Sequence, residues 1–165
     1  MKKRDCLVSA FIPILLGAAS AMAGERFPEF PLSVKMTAAA KVGNSVYAGL
    51  GTAGKAWYAL DLSSPGAHWR ALAPFPDQPR DNANAVAIGS TIYVFNGQGK
   101  AHPGEPKQIM FDTVWKYETG TNTWSKVPTR SPMGGLAAGA TTLNRQNILF
   151  FGGVNKAIFA GYFAE

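Results

Sequence analysis

Short β-forming runs, rather than the three-to-four-residue apolar spacing of a helix, characterise residues 24–165. Each run is rich in β-branched or aromatic residues and is bounded by Gly, Asn, Pro or Ser; the runs are 44–50, 91–96, 114–117 and 147–151. Several short strands separated by turn residues are typical of a sandwich, a barrel or a propeller. The pattern therefore predicts an all-β fold.

Internal repetition favours the propeller among these three architectures. Phe30-Pro31 recurs 45 residues later as Phe75-Pro76, and the run that ends in Gly97 recurs 56 residues later, ending in Gly153. Periods of about 40–50 residues indicate repeated units that bury their apolar faces against one another. We predict four-stranded blades with repeats near 36–72, 80–127 and 136–165.

Aromatic residues repeat between these landmarks. Tyr58 is followed by Trp69, and Tyr117 is followed, after six residues, by Trp124. Large aromatic side chains on outer strands bury much apolar area. We predict that they pack between neighbouring blades rather than contact a ligand.

The N-terminus has the three parts of a secretory signal peptide. Lys2-Lys3-Arg4 is positive, residues 7–19 are apolar, and Ala21-Met22-Ala23 is a small-x-small cleavage site. A membrane anchor is the alternative, but a span needs about 20 apolar residues. We predict a signal peptide over residues 1–23 and a mature, exported domain over 24–165 with no membrane segment. Cleavage removes Cys6, the only cysteine, so thiolate chemistry is excluded.

Charge and histidine content exclude two classes of partner. The net charge of +6 falls to +4 when three basic residues and Asp5 leave with the signal peptide, and the remaining basic residues are scattered. Nucleic-acid binding needs a concentrated basic patch. His68 and His102 are far apart in sequence, and neither has a nearby carboxylate pair. We predict no nucleic-acid partner, no metal site and no organic cofactor.

The repeats resemble the kelch repeat, through Gly152-Gly153, the Tyr117 to Trp124 spacing and the basic Arg80 ahead of a first strand. They depart from it at Leu50-Gly51 and Asn96-Gly97, where a double glycine is usual. Three longer segments resemble the bacterial periplasmic N-acetylneuraminate epimerase (sialic acid mutarotase) family: 49–61, 75–81 and 151–163.

This resemblance implies a six-bladed periplasmic propeller that interconverts the α and β anomers of N-acetylneuraminate, without a metal or cofactor. Six repeats of about 50 residues need about 300, so we expect an incomplete propeller of two to three blades. The catalytic residues are unknown and are expected in later blades. The activity of this chain is left open, and we expect self-association through exposed blade faces. The alternatives are a non-catalytic kelch carbohydrate- or protein-binding module and an inactive remnant.

Five residues are candidates for contact with a sugar acid. Mutarotation needs a paired acid and base, and a guanidinium binds a carboxylate well. Arg80 and Asp81 are expected at the mouth of a first strand, although Arg80 could instead bond loop backbone. Lys55 and Trp57, in a glycine-rich loop, offer a charge and a stacking face, although the glycines could simply form a turn. Asn155 could bind a hydroxyl group or serve as a turn residue.

Overall fold

The structure is a computed structural model that describes residues 27–132, 134–155 and 157–158. The predicted signal peptide, residues 1–23, lies outside the described residues, as do residues 159–165.

The first blade is a four-stranded antiparallel sheet in sequential order. Its strands are β1 (Ala38–Val42), β2 (Ser45–Gly49), β3 (Trp57–Asp61) and β4 (Arg70–Ala71). A two-residue turn with Gly43 at φ 55° joins β1 to β2. Such a turn needs positive φ, which glycine adopts without steric cost. A short 3-10 turn (Gly51–Ala53) follows β2.

The second blade repeats this order and carries an extra hairpin. Its sheet runs β5, β6, β9, β10, and the extra hairpin β7–β8 lies between β6 and β9 in sequence. The strands are β5 (Asn84–Ile88), β6 (Thr91–Phe95), β7 (Gln98–Lys100), β8 (Gln108–Met110), β9 (Thr113–Glu118) and β10 (Thr123–Arg130).

A third unit begins with two paired elements. The pairs are β11 (Gly135–Leu136) with β14 (Val154–Asn155), and β12 (Gly139–Leu143) with β13 (Asn147–Phe151). The first strands β1, β5 and β12 are neighbours, because β5 contacts both of the others. The predicted all-β, kelch-type propeller architecture is confirmed, with two four-stranded blades and the first hairpin of another among the described residues.

The core lies between the sheets. Trp57 and Tyr117, from different blades, are 1% and 0% exposed, and their rings meet edge to face at 6.1 Å. Trp124 adds a ring contact to each of them, at 5.5 and 4.9 Å. A smaller cluster around Val86 and Phe95 packs between the second blade and the third unit. The aromatic residues of β9 and β10 therefore hold neighbouring blades together.

One aromatic contact is repeated in the two complete blades. Phe75 lies 5.1 Å from Trp124, whose Nε1 donates to the carbonyl of Ala73. In the first blade Phe30 lies 4.9 Å from Trp69, whose Nε1 donates to the carbonyl of Pro28. In each blade, therefore, the segment that precedes the blade packs against a tryptophan in or next to the fourth strand, Trp69 beside β4 and Trp124 in β10. We call this contact the aromatic clamp.

The clamp gives the N-terminal segment a definite place. Residues 27–34 precede the first blade and contain Phe30-Pro31, which recurs as Phe75-Pro76 before the second blade. Among the described residues of this segment none is in a strand. Phe30 instead covers the face of the first blade that points away from the second, through ring contacts with Trp69 and Tyr58.

Candidate functional site

Three equivalent residues, one from each unit, form a rim just before the first strand of that unit. Met36, Asn82 and Ala137 each lie two residues before a first strand and have φ values of 60°, 54° and 55°. The amide of Asn82 donates to the carbonyl of Met36 at 3.0 Å, and the amide of Ala137 donates to the carbonyl of Asn82 at 3.5 Å. A line of peptide hydrogen bonds thus passes from blade to blade along this rim.

Glycines allow the neighbouring strands to approach the rim. Gly51, Gly97 and Gly153 follow second strands of the blades and have positive φ. A Cβ atom would lie 2.7 Å from the carbonyl oxygen of Asp81 at Gly97, and 2.6 Å from that of Leu136 at Gly153. Real Cβ atoms do not approach backbone so closely. The second glycine of each kelch-like pair is therefore required by close backbone packing.

Arg80 lies beneath this rim, and both of its Nη atoms are bound by protein groups, whereas its buried Nε has no hydrogen-bond partner among the described residues. Its side chain is buried, with Nη2 2.7 Å from Oδ2 of Asp77 and 3.1 Å from Oγ1 of Thr113. The guanidinium carbon lies over the rings of Phe75 and Phe111, at 4.9 and 4.3 Å from their centroids. At 1% exposure Arg80 has no surface to offer a ligand. Its place fits the alternative considered above, a basic residue that bonds loop backbone, since Nη1 also reaches the carbonyl of Asn96.

Burial and charge act against each other in this ion pair. Burial lowers the pKa of Arg80 to about 10, against the opposing effect of Asp77, and leaves the guanidinium charged at neutral pH. Burial alone would raise the pKa of Asp77. The backbone amide of Gln78, the indole of Trp115 and the charge of Arg80 outweigh that effect, and the pKa of Asp77 is lowered. Both partners are therefore ionised at pH 7, as an internal cross-link requires.

Asp81, the next residue, lies in a polar cleft. Its backbone pairs with that of Gln98, through hydrogen bonds of 2.8 and 2.9 Å. The cleft has a volume of about 320 Å³ and is bounded by Gln78, Pro79 and Asp81 on one side and by the hairpin β7–β8 on the other. Its polar lining residues are Gln78, Asp81, Gln98, Lys100, His102 and Gln108.

The other three candidates are separate from this cleft. Trp57 is 1% exposed inside the core, so the structure leaves it no stacking face for a ligand. Lys55 is exposed, and its carbonyl accepts the amide of Phe75 at 2.8 Å. Asn155 lines a different pocket, of about 180 Å³, and its Oδ1 accepts the amide of Ile158 at 2.9 Å. Of the five candidates only Asp81 lines the polar cleft.

Lys100, Gln98 and Gln108 were not singled out from the sequence, and His102 was considered only as a metal ligand. The signal that could have found them is the spacing of 56 residues between Gly97 and Gly153, which exceeds the 45 residues between Phe30 and Phe75; part of the excess falls in residues 99–108. An insertion between the second and third strands of one blade lengthens a loop at the end where blades meet the rim.

Metal-binding clusters and membrane-spanning helices are both absent from the described residues. Among residues 27–158, as far as the structure describes them, no cluster of three His, Cys, Asp or Glu side chains could hold a metal ion. No helix in that part of the chain is long and apolar enough to cross a membrane.

Comparison with known proteins identifies the repeat family. The family model of N-acetylneuraminate epimerase matches residues 27–165. The N-acetylneuraminate epimerase of Yersinia enterocolitica is 43% identical over 141 residues, which cover 86% of this chain and 36% of the relative. That of Vibrio cholerae is 42% identical over 143 residues, covering 87% and 37%.

A solved structure agrees with this match. The structure of YjhT superposes with a TM-score of 0.74 at 41% identity, covering 83% of this chain and 39% of that one. The chain spans well under half the length of these relatives. Because the family model covers most of its residues, the chain belongs to the N-acetylneuraminate epimerase family.

Proposed function

We propose that the protein interconverts the α and β anomers of N-acetylneuraminate. The observation that carries this proposal is the family match over residues 27–165, together with 42–43% identity to two N-acetylneuraminate epimerases. Resemblance at this level supports a common substrate class, and the polar cleft next to the rim is compatible with a sugar.

The reaction is the opening and reclosing of a sugar ring. A base takes the proton of the anomeric hydroxyl while an acid protonates the ring oxygen, and the roles reverse when the ring closes on the other face. We assign neither role to a described residue. The part we propose for these blades is binding, since Asp81, Lys100 and the glutamine side chains offer acceptors, a positive charge and amides to a polyhydroxylated acid.

We infer that this reaction takes place in the periplasm. The support is the signal-peptide pattern of residues 1–23, in which a basic segment, an apolar segment and a small-x-small site follow in order. The test is fractionation of cells that express the full chain: recovery from the periplasm without residues 1–23 is expected. Retention of those residues in a cytoplasmic fraction would contradict it.

The activity test uses proton NMR. A sialidase releases the α anomer of N-acetylneuraminate, and its conversion to the β anomer is followed with and without the purified chain. Acceleration over buffer, lost on heat denaturation, is expected. Saturable binding without acceleration, from a sample with a native β-sheet circular dichroism spectrum, would overturn the mutarotase proposal and favour the carbohydrate-binding module.

A further inference from the structure

The extra hairpin β7–β8 forms a fixed wall. Its two strands pair only with each other in the described sheets, through Gln98–Met110, Gly99–Ile109 and Lys100–Gln108. Its base is held by the hydrogen bonds between Asp81 and Gln98, and by the amide of Phe111 donating to Gly97 at 2.9 Å. A Cβ atom on Gly99 would collide with the carbonyl oxygen of Pro79. The hairpin therefore packs directly on the segment that leads to the rim.

The side chains of this cleft carry unused hydrogen-bonding and charge capacity. Asp81, Lys100 and His102 take part in no side-chain hydrogen bond or ion pair with the other described residues, whereas Arg80 next to them has an internal carboxylate partner. Lys100 and His102 are exposed and Asp81 is half-buried, so all three side chains are accessible to a ligand.

The two sides of the cleft differ in chemistry. The hairpin contributes the ammonium group of Lys100 and the imidazole of His102, while the segment 78–81 that leads to the rim contributes the carboxylate of Asp81. An ammonium group forms a charge-assisted hydrogen bond with a carboxylate, and a carboxylate accepts hydrogen bonds from hydroxyl groups. Amides from Gln78, Gln98 and Gln108 can both donate and accept. At about 320 Å³ the volume is at the lower end of the range for small-molecule sites, about 300–1,000 Å³.

We propose that this cleft is a binding subsite for a carboxylated sugar, with Lys100 paired to the carboxylate and Asp81 accepting from hydroxyl groups. This inference rests on the proposed function for the identity of the sugar, N-acetylneuraminate. It deepens that function by naming the hairpin β7–β8 as a part that binds the ligand. Lys100 is the specificity-determining residue, since it distinguishes an acid from its neutral ester.

The binding test compares N-acetylneuraminate with its methyl ester by calorimetric titration of the full chain. The acid is expected to bind the wild-type chain, and Lys100→Gln to weaken that binding about tenfold, as for loss of a charge-assisted hydrogen bond. The ester is expected to bind both forms equally weakly. Lys100→Arg, which keeps the charge, should retain most of the affinity.

The matched control is Lys116→Gln. Lys116 lies on β9 and pairs with Glu118 at 3.1 Å, so its loss removes the same charge without touching the cleft. Unchanged affinity of Lys116→Gln is expected. The proposal is overturned if Lys100→Gln binds the acid as tightly as wild type, if the ester binds as well as the acid, or if folded wild-type chain binds neither.

The same samples separate this inference from the mutarotase proposal. If wild type accelerates anomer conversion and Lys100→Gln has the same KM, the binding role of the cleft is overturned, whereas the proposed reaction is supported. Binding that depends on Lys100, without any acceleration of conversion, would support the cleft and overturn the reaction.

Discussion

Asp77 and Arg80 form an ion pair beneath the rim of the second blade, with carboxylate Oδ2 2.7 Å from guanidinium Nη2. The same carboxylate oxygen accepts the indole N–H of Trp115 at 2.9 Å. Two residues of the segment that enters the blade are thereby tied to its third strand. The pair joins the linker between blades to the sheet that follows it.

Asp77→Asn is expected to lower the free energy of unfolding at pH 7 by about 1.5–3 kcal/mol, the range for hydrogen bonds to charged groups. The pKa of Asp77 is below its ordinary value of 3.8 in the folded protein. Its contribution is therefore complete above that value and is lost as the pH falls through the lowered pKa. Urea unfolding of both forms at pH 7 and pH 3 should show a difference that shrinks in acid.

The control for that experiment is Glu29→Gln, since Glu29 is exposed and forms no ion pair with the described residues. It should leave stability nearly unchanged at both pH values. An equal loss for Asp77→Asn at pH 7 and pH 3 would show that the charge of Asp77 does not stabilise the fold.

Gly97→Ala should destabilise the protein more than Gly89→Ala. Both glycines have positive φ, 88° and 60°, which costs an L-residue about 1–2 kcal/mol. A Cβ atom at Gly89 meets nothing within 4 Å, whereas at Gly97 it would lie 2.7 Å from the carbonyl of Asp81. Denaturant midpoints with unchanged m-values measure the difference. Equal midpoints for the two variants would contradict the close packing of strand against rim.

Phe30→Ala tests the aromatic clamp of the first blade. Phe30 makes two edge-to-face ring contacts, at 4.9 and 5.3 Å. Each such pair contributes about 0.5–1.5 kcal/mol, so a loss of about 1–3 kcal/mol is expected in thermal or urea unfolding. Phe27, which is 53% exposed, gives the control substitution Phe27→Ala. If the two variants unfold alike, residues 27–34 do not brace the blade.

Self-association of the chain stays a prediction. Leu149 and Phe151 of β13 are 48% and 61% exposed, and exposed apolar surface of this kind promotes association. Light scattering over a concentration series should show a mass that rises with concentration, and Phe151→Ser should reduce the rise. A sharp unfolding transition of a monomer, independent of concentration, would contradict it.

The periodicity of the sequence was sufficient to predict the blades. Phe30 and Phe75, and Trp69 and Trp124, occupy the same places in successive blades, as their contacts show. The alignment of the repeats that made Tyr58 equivalent to Tyr117 was wrong by two residues. Strand register makes Leu60 the equivalent of Tyr117, since Leu60 pairs with Val46 in the first blade and Tyr117 pairs with Ile92 in the second. A shift of two residues keeps a side chain on the same face, so apolar pattern alone does not reveal it.

The site was less predictable than the fold. Trp57 follows a glycine-rich loop and suggested an exposed ring, but it is the first residue of β3, with its side chain on the face that packs against the second blade. The hairpin β7–β8 has little apolar pattern, so its pairing depends on backbone contacts with Asp81 and Gly97 that no local sequence rule specifies. For Arg80 the residue type fits both a ligand contact and an internal anchor, and only burial distinguishes them.

The two hydrogen bonds that join Met36, Asn82 and Ala137 along the rim have the same direction. In both, a carbonyl of one unit accepts a hydrogen bond from an amide of the next: the carbonyl of Met36 accepts from the amide of Asn82, and the carbonyl of Asn82 accepts from the amide of Ala137. Such a contact is heterologous, head to tail, and two blades related by a two-fold axis could not both satisfy it. The second blade, which has a neighbour on each side, therefore presents an acceptor carbonyl to the unit that follows it and a donor amide to the unit that precedes it. Tandem duplication of a single unit could lengthen such an array without inventing a new interface.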